Sequence, residues 1–390
     1  MFDFDEPIDR RRTHSVKWDM MEPYFGVPAE DGLAMWVADM DFRPPPAVMA
    51  ALAHEIETGV PGYFGDEKAY RAAIQGWMAR RHGWDIAPEW ILTTHGLVAA
   101  VGMAVQAFTE PGDGVILFTP VYHAFARVIG ANGRQVVESR LVERDGRHFM
   151  DLDALAAQLT GRERMVVFCS PHNPGGRIWS VAEQRALAAF CAAHNLILVS
   201  DEIHHDLVMP GRSHTPMAVA APEAADRLVT LTATTKTFNI AGALTGNAIV
   251  ADPGLRARIA ARIGAAGGSP NRFGVLMATA AYDGGDAWLD ALRPYLAENA
   301  RIFDQGLAAV PGLSSMALDS TYLAWVDFRR LGMEQAEIER RLREGARIAA
   351  SPGPQFGGGG EGWMRFNLAM PRARVEDAVA RIQAAFSDLQ

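Results

Sequence analysis

The feature that most constrains this chain is an alternation of pattern between about residues 88 and 250. Short apolar runs recur there: Gly114–Thr119 (GVILFT), Met165–Ser170 (MVVFCS), Leu196–Ser200 (LILVS), Leu228–Ala233 (LVTLTA) and Asn247–Ala251 (NAIVA). Longer stretches with helical character separate them, among them Leu97–Phe108 and Val181–His194. Runs this short and this uniformly apolar read as strands buried on both faces. The fold class is therefore α/β: a mainly parallel sheet with helices on both faces. In such sheets ligands sit beyond the carboxyl ends of the strands, so the residues that follow each run carry the functional argument.

After GVILFT comes Pro120-Val-Tyr122, and after MVVFCS comes Pro171-His-Asn173-Pro174-Gly175-Gly176. Asp201-Glu-Ile-His204 follows LILVS, and Thr234-Thr235-Lys236 follows LVTLTA. If these strands are neighbours, Tyr122, Asn173, Asp201, His204 and Lys236 share one edge of the sheet. A flat aromatic, an amide, a buried acid and a lysine are what a pyridinium aldehyde needs. The lysine forms an imine, the acid pairs with the protonated ring nitrogen, the amide meets the ring hydroxyl and the tyrosine covers one face. The phosphate needs donors as well. Thr94-His-Gly96-Leu97-Val98 opens an apolar helix whose free N–H groups would cradle an anion, and Thr234 and Tyr63 could add hydroxyls. Each feature alone has an ordinary structural explanation: an N-cap aspartate, a proline turn, a core tyrosine, a surface lysine. The ordered set points to a pyridoxal 5'-phosphate site.

Composition sharpens this. Lys+Arg is 37, yet the only lysines are Lys17, Lys68 and Lys236, so imine chemistry has three candidates; arginine stays protonated and cannot replace them. The formal net charge of -9 argues against nucleic acid or an anionic membrane as partner. Cys169 and Cys191, the two cysteines, both lie in apolar surroundings and read as small core residues in a reducing compartment. The charged start of the chain does not read as a secretory signal, and no apolar run is long enough to span a bilayer. A cytoplasmic location is expected. His95, His123, His172 and His205 lack metal-ligand spacing with the cysteines, so no metal is assigned.

The expected organisation has three parts. Residues 1–45 form an arm that contributes to a small domain and to a dimer, residues 46–284 a large cofactor-binding domain, and residues 285–390 a small α+β domain. A helix starts near Ala47, after three prolines, and ends at Gly59. The last part has helical patterns at Trp288–Val310, Met333–Gly345 and Arg374–Asp388. Its strands are expected at Thr321–Asp327 and Gly362–Leu368, with a loop at Gln355–Gly362. Arg10–Arg12 reads as a solvated or interface charge run, and Trp18 and Trp36 as core or interface aromatics.

With Arg365 in Trp363-Met-Arg-Phe-Asn367, the ordered set resembles the class I/II aminotransferases of fold type I. More closely it resembles the MalY/PatB-type C–S β-lyases, which are cystathionine β-lyase-like. The segments that carry the likeness are Thr13-His-Ser-Val-Lys-Trp-Asp19, Met35-Trp-Val-Ala-Asp-Met-Asp-Phe42, Ser200-Asp-Glu-Ile-His204, Thr235-Lys-Thr-Phe-Asn-Ile240 and Ser320-Thr-Tyr-Leu-Ala-Trp325. The resemblance spans nearly the whole chain. It implies that Lys236 is the Schiff-base lysine, Asp201 the partner of the ring nitrogen, Tyr122 the stacking ring and Asn173 the contact to the ring hydroxyl. Gly96, Leu97, Val98 and Thr234 would bind phosphate, with Tyr63 reaching the phosphate of a neighbouring subunit in a homodimer. Arg365 would hold the substrate carboxylate, with Trp36, Val37 and Ala38 closing over it. Two positions depart from the wider aminotransferase pattern: Leu244 stands where a phosphate-binding arginine is common, and His204 where tyrosine is usual. Both fit the lyase branch.

The expected reaction is α,β-elimination from L-cystathionine or a related S-substituted L-cysteine, giving a thiol, pyruvate and ammonia. An aminotransferase on the same scaffold, and a regulatory protein that keeps the cofactor without turnover, are the alternatives weighed.

Overall fold

The computed structural model describes residues 2–389. Its seven-stranded sheet runs, edge to edge, through Ile91–Thr94, Gly246–Ile249, Leu228–Thr232, Ile197–Asp201, Glu163–Cys169, Gly114–Thr119 and Gln135–Arg140. The central strands are parallel. Alternation along them explains the two helical layers. Val115, Leu117, Met165, Val167 and Val199 pack on one face with the Leu97–Phe108 helix. Ile116, Phe118, Val166, Phe168 and Leu198 pack on the other with Leu187 and Cys191 of the Val181–Ala193 helix. Both cysteines are buried and free. The fold is that of the expected α/β class.

One strand departs from the parallel pattern. Gly246–Ile249 is antiparallel to both neighbours. A parallel return needs a crossover of a dozen or more residues, usually a helix. The chain between Thr232 and Gly246 holds only the short turns Thr234–Thr237 and Ala241–Ala243, so it comes back reversed.

A second, four-stranded sheet is ordered Ser314–Ser315, Leu323–Asp327, Trp363–Asn367, Ser351–Pro352. The strand expected from Thr321 begins two residues later, because Thr321 has a φ of 72°, outside the extended region. The Met333–Gly345 pattern divides into a helix at Gln335–Arg340 and a widened turn at Arg341–Gly345. The long Asp286–Leu307 helix joins the two cores: Trp288, Leu289 and Leu292 pack toward the large sheet's end, Phe303 and Leu307 against the second sheet. The N-terminal arm packs on this second unit, where Leu33–Ala34 pairs in parallel with Ile348–Ala349. The Pro46–Thr58 helix stops at Gly59, whose φ of 72° suits a residue without a Cβ. No helix among the described residues is long and apolar enough to cross a membrane.

Candidate active site

A cavity of about 560 Å³ opens between the carboxyl edge of the large sheet, the arm and the second sheet. Its wall includes Gly96, Leu97, Val98, Tyr122, Asn173, Asp201, His204 and Lys236 from the first, and Trp36, Val37, Ala38 and Arg365 from the others. Two expected residues stand apart. Thr235 rather than Thr234 lines the cavity, Thr234 being buried behind it at the start of the helical turn. Tyr63 lies outside the cavity and is 99% exposed.

Each rim residue owes its place to a strand end. Asp201 is the last residue of its strand, fully buried, and accepts from Ile203 N at 3.1 Å. Burial raises its carboxyl to about 7, with Glu202 beside it pushing the same way and Lys236 opposing. Lys236, in the short Thr234–Thr237 turn, donates to Ala38 O. Burial lowers its amine to about 8, and Arg365 adds to that. Tyr122 meets Phe125 edge-on at 5.6 Å, and its N–H donates to Asn173 O at 3.1 Å. The side-chain oxygen of Asn173 accepts from Arg365 Nη1 at 3.1 Å, which leaves its NH2 to face the cavity. His204 is buried against Tyr322, with ring centroids 6.1 Å apart. Burial and the neighbouring Lys236 and Arg365 hold it near 3, so it is neutral.

Arg365 enters from mid-strand in the second sheet. Its Nη2 donates to Trp36 O at 2.6 Å and to Ser351 Oγ at 3.3 Å. Burial pushes its guanidinium down to about 10, still cationic at neutral pH.

The residues fit a phosphorylated pyridine aldehyde. The Leu97–Phe108 helix starts at Gly96, with a φ of 80° and no side-chain cap, so its first N–H groups point free at the cavity wall. Arg365 Nε and His204 Nδ1 are buried there without partners among the described residues. One acid, one amine and one amide NH2 converge on the same space. Leu244, in left-handed conformation at φ 45°, also lines the wall, so no arginine reaches the phosphate end from that position.

Several neighbours escaped the sequence reading. Asn367 sits two residues beyond Arg365 on one strand, hence on the same face; that spacing was a usable signal. Tyr322 lies in Ser320–Trp325, one of the segments that carry the family likeness, and Ser351, from another segment, had no signal. Behind the site, Asp206 accepts from Trp77 Nε1 (2.9 Å) and Thr237 Oγ1 (2.8 Å) and meets His82 Nε2 at 2.7 Å. His205 completes that buried cluster, in which the ligand-type atoms of His82, His205 and Asp206 lie within 4.8 Å of one another. The carboxylate is already fully engaged by these donors, so it braces the turn that carries Lys236 rather than standing free. Trp18 is buried with Nε1 on Asp41, and Arg10 bonds Asp39 and Asp41 rather than solvent.

Residues 31–382 match the aminotransferase class I and II family, and the chain belongs to that family. Within it the chain sits with the MalY/PatB-type proteins. It is 41% identical to cystathionine beta-lyase PatB of Bacillus subtilis over 98% of this chain and 100% of that protein. Protein MalY of Escherichia coli is 34% identical, over 97% of each. The crystal structure of cystalysin from Treponema denticola, which contains a pyridoxal 5'-phosphate cofactor, superposes with a TM-score of 0.96 at 36% identity over 100% of both chains.

Proposed function

We propose that this protein is a pyridoxal 5'-phosphate-dependent C–S β-lyase that cleaves L-cystathionine or related S-substituted L-cysteines to a thiol, pyruvate and ammonia. The observation that carries the reading is the convergence of Lys236, Asp201, Asn173 and Tyr122 with Arg365 on one cavity. The likeness to a cystathionine β-lyase over the full chain supports the same reaction.

When bound, the cofactor supplies an electron sink for the electrons left by the α-proton. The rest falls to the chain. Lys236 holds the aldehyde covalently and, once free, takes the α-proton at Nζ; an amine held near 8 is close to the pKa that such a base needs at neutral pH. Asp201 would pair with the ring nitrogen and hold a proton there, its buried carboxyl then favoured as the anion by a positive partner. Asn173 donates to the ring hydroxyl, and Tyr122 covers a ring face. Gly96, Leu97 and Val98 offer N–H groups to the phosphate, with Thr235 on the cavity wall near them and His204 a neutral neighbour of Lys236. Arg365 grips the substrate carboxylate, and Trp36, Val37 and Ala38 cover it, which excludes water. The departing sulfur is a good leaving group because a thiol pKa near ~8.5 makes a stable anion.

The small-molecule substrate is thus an amino acid, and the assembly we propose is a cytoplasmic homodimer. Met49, Ile56, Val60 and Tyr63 are exposed on and after the Pro46–Thr58 helix, an apolar surface that a second copy would cover while lending Tyr63 to the partner's phosphate. The division into 1–45, 46–284 and 285–390 is part of the same reading, supported by the separate core around the second sheet.

Purified protein incubated with L-cystathionine should release pyruvate and free thiol. Amino exchange that depends on an added keto acid, without thiol release, would overturn the lyase assignment. Light scattering should give twice the chain mass, and Ile56→Glu should shift it toward one.

A further inference from the structure

The segment from Trp36 to Phe42 has no regular structure, yet its carbonyls are held one by one. Asn367 Nδ2 donates to Val37 O and to Asp39 O, both at 2.6 Å. Its Oδ1 accepts from Ala369 N at 2.8 Å, which fixes which end of the amide faces the strap. Tyr322 Oη donates to Ala38 O at 3.0 Å. Tyr322 and Asn367 belong to adjoining chain ends of the second sheet, where Leu323 pairs with Asn367. Both side chains are buried.

In a trans peptide the C=O of one residue and the N–H of the next point in opposite directions. Anchoring Val37 O on Asn367 therefore aims the Ala38 N–H the other way, off the second sheet, whereas Trp36 O, held by Arg365 and Ser351, turns the Val37 N–H away from Arg365. Val37 and Ala38 line the cavity beside Arg365. Their N–H groups have no acceptor among the described residues.

We propose that Asn367 and Tyr322 are positioning residues for carboxylate recognition: by pinning the carbonyls of Val37, Ala38 and Asp39, they turn the Ala38 N–H group onto the substrate carboxylate held by Arg365. Neither side chain touches the substrate. The inference rests on the proposed carboxylate role of Arg365.

The test compares an S-substituted L-cysteine with its carboxamide, which lacks the anionic oxygens. Asn367→Ala should lower kcat/KM for the acid by about tenfold or more, since a hydrogen bond to a charged group is lost or misaimed. The loss should lie in KM, and the carboxamide should be little affected. Tyr322→Phe, which keeps the ring and its packing, should shift the same ratio more weakly and stands in if Asn367→Ala does not fold. In the cofactor-free protein, amide exchange across residues 36–42 should speed up in either variant. Equal losses for acid and carboxamide, or unchanged exchange, would overturn the positioning role. A wild type that releases thiol but does not prefer the acid would instead defeat the carboxylate role of Arg365, and this inference with it.

Discussion

The two walls of the cavity are built by different means. On the large-sheet side, Tyr122, Asn173, Asp201 and Lys236 each stand at or within four residues of a strand end. Backbone pairing across parallel strands sets their spacing, and each is local to its own βα unit. On the opposite wall, Arg365 meets Trp36 across 329 positions of sequence and Asn367 meets Val37 across 330. That wall exists only when the arm has folded onto the second sheet. In the proposed reaction the first wall supplies the groups for covalent and proton chemistry, and the second the groups that grip substrate. Defects on the first should appear in kcat, and on the second in KM and in the stability of the arm.

The sharpest test of the first wall is Lys236→Ala, which removes the proposed covalent anchor and base together. Thiol release should fall by at least about 10³-fold, beyond what loss of a general base alone costs in many enzymes. A near-wild-type rate would remove the chemical role from that wall altogether. The second wall is most exposed at Asp41. This buried carboxylate takes Lys17 Nζ at 3.1 Å, Trp18 Nε1 at 3.0 Å and Arg10 Nη1 at 2.9 Å, and the Lys17 side chain is fully buried. Asp41→Asn removes the nearer of the two carboxylates around buried Lys17, leaving Asp39 at 3.9 Å, and should cost about 3–5 kcal/mol in chemical denaturation. A cost near zero would mean the arm is not held by this cluster.

Arg365→Lys tests the gripping role itself. A lysine cannot reproduce the planar fork, so kcat/KM should drop by about 10²-fold, or ~2.7 kcal/mol, carried mainly by KM. A pure kcat effect would break the division between the walls. The test with no bearing on turnover concerns Asp201 in the cofactor-free protein. Its carboxyl keeps its proton up to about 7 when folded, against ~4 in an unfolded chain. Between those values the folded state binds more protons, so unfolding free energy falls as pH rises from about 4 to about 7. Asp201→Asn should flatten that fall, by up to about 4 kcal/mol for a carboxyl raised from ~4 to about 7; thermal melts across the range read it directly, and an unaltered slope would place the titration elsewhere.

The two walls were not equally legible. Strand ends are marked by local pattern, so GVILFT, MVVFCS, LILVS and LVTLTA led straight to Tyr122, Asn173, Asp201 and Lys236, all of which the structure places in the cavity wall. Arg365, Trp36, Val37 and Ala38 were reached through resemblance to a family, because no spacing within the chain joins position 36 to position 365. Asn367 could have been read from its alternation with Arg365, and Tyr322 from the Ser320–Trp325 segment of the family likeness. Ser351 could not.

Sequence alone therefore determined the layered α/β architecture, the identity of the one lysine set at a strand end, and the acid, amide and aromatic around it. These follow from periodicity of two along a strand and from the rule that sites gather where parallel strands end, both properties of short segments. Tertiary structure alone decided the reversal of Gly246–Ile249, the buried bracing of Asp206, and the pinning of Trp36–Phe42 from the second sheet. Those depend on which distant donors meet which carbonyls, and a hydrogen bond between residues hundreds of positions apart leaves no trace in the pattern of either segment.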